Sequence, residues 1–144
     1  MGIPISHTPN FVNPKGYKPD FALSPILGPQ EDELIELLEL KRFGEKTLTK
    51  GLHRGFSAKV HSAINQVRDY ERYLRDPANI QSILRAFGYI PEKSKLAVLI
   101  GRVPRNAADQ EVFFQRQSEI DVRIVTYDEI LETQANQLRS AFLN

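Results

Sequence analysis

The 144-residue sequence contains no cysteine. Disulfides and thiolate zinc sites are therefore excluded, and a reducing, cytoplasmic setting is expected. No run approaches the roughly 18 apolar residues needed to span a bilayer, and the N-terminus lacks the apolar core of a signal peptide, so no membrane partner is expected. Met1-Gly2-Ile3-Pro4-Ile5-Ser6 fits the loose myristoylation pattern, but no second membrane signal accompanies it and the match is taken as coincidental. Neither Gly-x-x-x-x-Gly-Lys nor Gly-x-Gly-x-x-Gly occurs, which disfavours an NTPase or dinucleotide enzyme. His7, His53 and His61 show no ligand spacing, and residues 1–18 hold no Asp or Glu.

The charge that is present is unevenly placed. Residues 30–40 carry five acids and no base, whereas residues 41–75 carry nine Lys or Arg against three acids. From 107 to 144 the balance reverses, with three bases against seven acids. A basic middle beside an acidic strand suits a polyanion-binding face around a metal site; for any single Lys or Arg, a solvated surface is the simpler reading.

The length is that of one domain. Residues 1–17, rich in proline and glycine, read as an extended arm with a short strand near Phe11-Val12, and residues 18–144 as the domain proper. Strands are expected at 19–25 and 33–41, joined by the turn Ser24-Pro25-Ile26-Leu27-Gly28-Pro29. Residues 42–56 read as a basic loop made flexible by Gly44, Gly51 and Gly55, with Lys46, Lys50 and Arg54, together with Lys59 on the following helix, placed to bind backbone phosphates of a nucleic acid. A helix capped by Ser57 runs to Arg75, where Asp76-Pro77 stops it, with Val60, Ile64, Val67 and Leu74 as its buried stripe. A helix at 78–87 ends on Gly88 as a left-handed cap. A buried strand at 95–101, a helix at 107–118, a strand at 122–126 and a closing helix from 127 to 142 complete an α/β chain with a mixed sheet covered on both faces.

The chemistry concentrates between Pro19 and Lys41. If these segments pair as a hairpin, Asp20 and Glu39 converge on one hard cation, and Lys41, two residues from Glu39, shares its face and reaches a phosphate oxygen or the attacking water. Leu38 and Leu40 then face the core. The same letters also fit an amphipathic helix over 31–41, which would set Glu39 and Lys41 about 200° apart and destroy the site. On the helix that follows, Gln66 and Tyr70 lie four residues apart on one edge; functionally the glutamine would orient water or metal and the tyrosine a phosphate, and otherwise they are a surface amide and a packed ring.

Pro19-Asp20-Phe21, Glu39-Leu40-Lys41-Arg42, Gln66-Val67-Arg68-Asp69-Tyr70, Ile100-Gly101-Arg102 and Ile124-Val125-Thr126-Tyr127-Asp128-Glu129-Ile130-Leu131 occur in this order. In this the chain resembles the C-terminal PD-(D/E)xK nuclease domain of the Shedu family of antiphage defence proteins, over residues 17–133. The resemblance implies a restriction-endonuclease-like α/β fold and a Mg²⁺-dependent DNA endonuclease, with Mn²⁺ as an alternative metal. It implies metal ligation by Asp20, Glu39 and Leu40, and catalytic roles for Asp20, Glu39, Lys41, Gln66 and Tyr70. It also implies a homo-oligomer or an additional N-terminal regulatory domain. Phe43 stands where the family commonly has proline. The helix and strand that normally precede the Pro-Asp strand, with an acid often used there, have no counterpart in residues 1–18. The alternatives are a catalytically weak nucleic-acid-binding domain of the same fold and a protein interaction module in which Glu39 and Lys41 form a structural ion pair.

Overall fold

The computed structural model describes residues 21–23 and 34–143. Asp20, the arm assigned to residues 1–17 and its expected strand near Phe11-Val12 lie outside the described residues.

The acidic, leucine-rich segment is a strand, not a helix. Strand β1 (Phe21–Leu23) pairs antiparallel with β2 (Leu34–Leu40), with Phe21 opposite Leu38 and Leu23 opposite Glu36. On its other edge β2 pairs in parallel with β3 (Lys93–Leu99), from Leu34 opposite Lys93 to Leu40 opposite Leu99. Leucine and glutamate favour helix locally, but β3 pairs with β2 along its whole length and β1 pairs with Glu36–Leu38 on the other edge, and pairing overrides propensity. Strand β4 (Arg123–Val125) adds in parallel to β3, giving the order β1-β2-β3-β4.

Helix α1 (Ala58–Arg75) lies in the crossover from β2 to β3 and packs on both strands. Its start is fixed by Ser57, whose hydroxyl accepts from the Val60 N–H at 3.3 Å. Its expected stripe of Val60, Ile64, Val67 and Leu74 is buried, joined by Ala63, Tyr70 and Tyr73. A single 3₁₀ turn (Pro77–Asn79) leads into α2 (Ile80–Phe87), which ends on Gly88 at φ 78°. Helix α3 (Ala107–Ser118) bridges β3 and β4, and α4 (Tyr127–Leu143) closes the described chain.

The core lies on the α1 side of the sheet, where Ile35, Leu37, Leu96, Val98, Ile100 and Ile124 meet the helix stripe, Phe56, Ile83 and Phe113. This corrects the expected facing of β2. Ile35, Leu37 and Glu39 are buried, while Leu38 and Leu40 are half-buried on the opposite face. The strand is apolar on both faces, and the helix settled on the face that carries Glu39.

The segment from 42 to 57 is also more ordered than a flexible loop. Leu48 and Phe56 form an antiparallel bridge, Thr49 N–H donates to Gly55 O at 2.9 Å, and Ser57 N–H to Thr47 O at 2.8 Å. Among the described residues no helix is long and apolar enough to cross a membrane.

Candidate active site

Glu39 is a carboxylate on the core face of a central strand, with only 5% of its surface exposed. An unpaired charge there would carry a large desolvation cost, so its contacts define the site. Lys41 Nζ donates to Glu39 Oε1 at 2.8 Å, and the Tyr70 hydroxyl donates to Glu39 Oε2 at 3.2 Å. The two-residue spacing thus places Glu39 and Lys41 together, as the strand alternation requires. The helix register delivers Tyr70 from above. Tyr70 is 2% exposed, and its hydroxyl is directed to the carboxylate.

Gln66 lies one helical turn before Tyr70. Its Oε1 is buried without a hydrogen-bond partner among the described residues. Buried amide oxygens are normally satisfied, and one that is not marks a place for water, an ion or a ligand.

Lys41 opens outward into a cleft of about 620 Å³ lined by Leu40, Lys41, Arg42, Glu45, Lys59, Ser62 and Tyr127. Three cations against one carboxylate give this cleft a positive balance. Of the expected phosphate contacts, Lys59 lines it, whereas Lys46 and Lys50 are exposed on the adjoining hairpin and do not. Arg54 is held by the fold: its guanidinium pairs with Asp109 on α3 and its Nε donates to Gly51 O.

The floor of the cleft is held from across the molecule. Lys41 N–H donates to Leu99 O at 2.8 Å, continuing the β2–β3 ladder, and the Tyr127 hydroxyl donates to Lys41 O at 2.7 Å. Tyr127 N–H in turn donates to Gly101 O at 3.0 Å, and its ring meets Phe43 edge-on at 6.0 Å. Gly101 adopts φ +58°, and a Cβ there would collide with the Glu45 carbonyl and lie 3.1 Å from Thr47 Cγ2. Only glycine fits where the strand end passes under the 42–47 segment.

Arg102 extends this bracing. It donates to Asp128 Oδ1 through Nε at 3.1 Å and Nη2 at 2.6 Å, and its guanidinium lies 5.4 Å from the Phe43 ring centre. Asp128 Oδ2 also accepts from Val103 N–H at 2.8 Å. The Arg102 hydrogen bonds hold the Asp128 carboxyl below its ordinary pKa, and the Arg102 pKa is raised in return.

Tyr127, Arg42 and Ser62 were not singled out as site residues from the sequence. Tyr127 and Arg42 stood in matched segments, but their contribution to the cleft depends on contacts that segment order does not reveal.

Among the described residues no group of three or more His, Cys, Asp or Glu side chains could hold a metal. Within that set the hard oxygen donors near the site include the Glu39 carboxylate, the orphaned Gln66 Oε1 and the Glu45 carboxylate of the cleft; their chemistry suits a hard dication such as Mg²⁺. Asp20, the second expected carboxylate, lies outside the described residues, immediately before Phe21 in the chain.

The chain matches no model of a known protein family, and a comparison with curated proteins finds no relative.

Proposed function

We propose that this chain is a metal-dependent nuclease of the PD-(D/E)xK type that hydrolyses DNA phosphodiester bonds, in the manner of the Shedu antiphage proteins it resembles. The observation that carries the reading is the joining of Glu39, Lys41 and Tyr70 at the end of a central strand, with Lys41 facing a cationic cleft. In this reading Glu39, Asp20 and the Leu40 carbonyl would hold Mg²⁺ or Mn²⁺, and the ion would supply Lewis acidity at the scissile phosphate. Gln66 Oε1 accepts from a water at the edge of the site, which gives that buried oxygen its missing partner. Lys41 turns from Glu39 toward the scissile phosphate and stabilises the charge that builds there. Lys59 and Arg42 position the flanking backbone. Tyr70 keeps the Glu39 carboxylate aimed, acting through it and not on the substrate.

A second reading is favoured by the tight pairing of Glu39 with Lys41 and Tyr70, which neutralises the carboxylate without a metal. In that case the pair anchors α1 to the sheet of a nucleic-acid-binding domain. Plasmid cleavage with Mg²⁺ and with chelator separates the two, using Asp20→Ala as control. Mg²⁺-dependent nicking that Asp20→Ala removes is expected, and binding without cleavage would favour the second reading.

A further inference from the structure

Helix α4 runs for 17 residues with none of them buried. Helices in proteins owe most of their stability to a packed apolar face, and short isolated ones are marginal in water. Yet α4 carries such a face. Leu131, Ala135, Leu138 and Phe142 follow one another at steps of four, three and four, which at about 100° per residue keeps all four within an arc of about 60°. Leu131 and Leu138 are each 61% exposed and Phe142 86%. Steps of four and three are the spacing of a helix-pairing seam.

We infer that α4 pairs antiparallel with the α4 helix of a second copy of this chain. Two features of the stripe select this occupant. The first is charge. Glu132 and Arg139 stand on the same flank, about 100° and 80° round from Leu131, and neither has an ion-pair partner among the described residues. A two-fold axis across an antiparallel pair brings that flank against its own copy in reversed order. Glu132 then meets the second copy's Arg139, and the contact occurs twice. With the stripe centred on the axis, these residues are offset by two positions, about 3 Å at 1.5 Å per residue, within reach of both long side chains. A parallel pair would instead set that flank against Ile130, Gln134 and Ala141, which offer no charge. The second feature is size. Antiparallel pairing sets Ala135 opposite Leu138 and Leu131 opposite Phe142, so the small residue faces a large one and like sizes do not collide. The surface is thus complementary to itself, which a two-fold interface requires. The inference is independent of the nuclease reading.

Sedimentation velocity across a concentration series tests it on the full chain, with Glu132→Arg, Arg139→Glu and the double exchange. All these positions are exposed, and far-UV circular dichroism checks that each variant folds. Dimerisation of the unaltered chain is expected. Each single exchange should raise the dimer dissociation constant by about tenfold, since it replaces two attractions with two repulsions, and the double exchange should bring it back to within about threefold. A chain that stays monomeric at every concentration would overturn the inference, whether the stripe is covered by the chain's own residues 1–20 or by another protein. So would a dimer whose double exchange is no tighter than the single ones, since that pairing is not the antiparallel one.

Discussion

The Tyr127 hydroxyl, at the first turn of α4, donates to the Lys41 carbonyl at the end of β2, a 2.7 Å contact across 86 residues of sequence. The residue that carries the ammonium of the candidate site is therefore fixed from two sides. Leu99 O accepts its N–H, and Tyr127 donates to its carbonyl.

Removing that hydroxyl should loosen Lys41 without changing the charge of the cleft. Tyr127→Phe is expected to cost about 1 kcal/mol in stability, the net worth of one hydrogen bond, and to lower the cleavage kcat about tenfold with little change in KM. Steady-state cleavage rates check this. A KM effect with kcat intact would mean that Tyr127 contacts the substrate and does not position Lys41.

Gly101 supports the same floor from below. Gly101→Ala must hold a left-handed conformation and push the Glu45 carbonyl aside. The conformation alone costs roughly 1–2 kcal/mol, so the melting temperature should fall by roughly 5 °C or more. An unchanged melting curve would show that the 42–47 segment yields freely.

The Arg102–Asp128 bridge makes stability depend on pH at the acid end. The Asp128 carboxyl titrates below its ordinary value in the folded chain, chiefly because Arg102 hydrogen-bonds its charged form. Its stabilising contribution is therefore complete above the unfolded value of about 3.9 and is lost as pH falls from there through the lower folded value. Asp128→Asn should melt below the unaltered chain at pH 7, with the gap narrowing near pH 3. A gap that stays constant over that range would remove Asp128 from the acid response.

DNA binding should rest on phosphate contacts and weaken steeply with salt. Because Lys59 lines the cleft and Arg54 is tied to Asp109, Lys59→Ala should reduce the salt slope of log K by about 1, and Arg54→Ala should leave it nearly unchanged. Fluorescence anisotropy titrations at several salt concentrations measure both, and equal slopes for the unaltered chain and Lys59→Ala would take Lys59 out of the interface.

Where an element was legible, a local signal carried it. Ser57, Asp76-Pro77 and Gly88 punctuate α1 and α2, and the apolar run 95–100 marks β3. What was not legible depended on partners far along the chain. The face of β2 could not be read, because Leu34–Leu40 is apolar on both sides and only the position of α1 decides that Glu39 is buried. Arg54 read as a phosphate ligand because nothing near it reveals Asp109, 55 residues away. The pairing of Glu39 with Lys41 was readable because it needs only strand alternation. The contribution of Tyr127 was not, since it needs the whole sheet in register.

In the proposed nuclease the Glu39 and Lys41 pair is chemical as well as structural. Cleavage of supercoiled plasmid in Mg²⁺ by the unaltered chain and by Lys41→Gln tests this most directly. Glutamine removes the charge that offsets the buried Glu39 carboxylate, so far-UV circular dichroism checks that the variant stays folded. Lys41→Gln is expected to keep its DNA affinity within a few-fold while losing about 100-fold or more in cleavage rate. Cleavage that survives Lys41→Gln, or an unaltered chain that binds DNA and never cuts it in Mg²⁺, would contradict this reading.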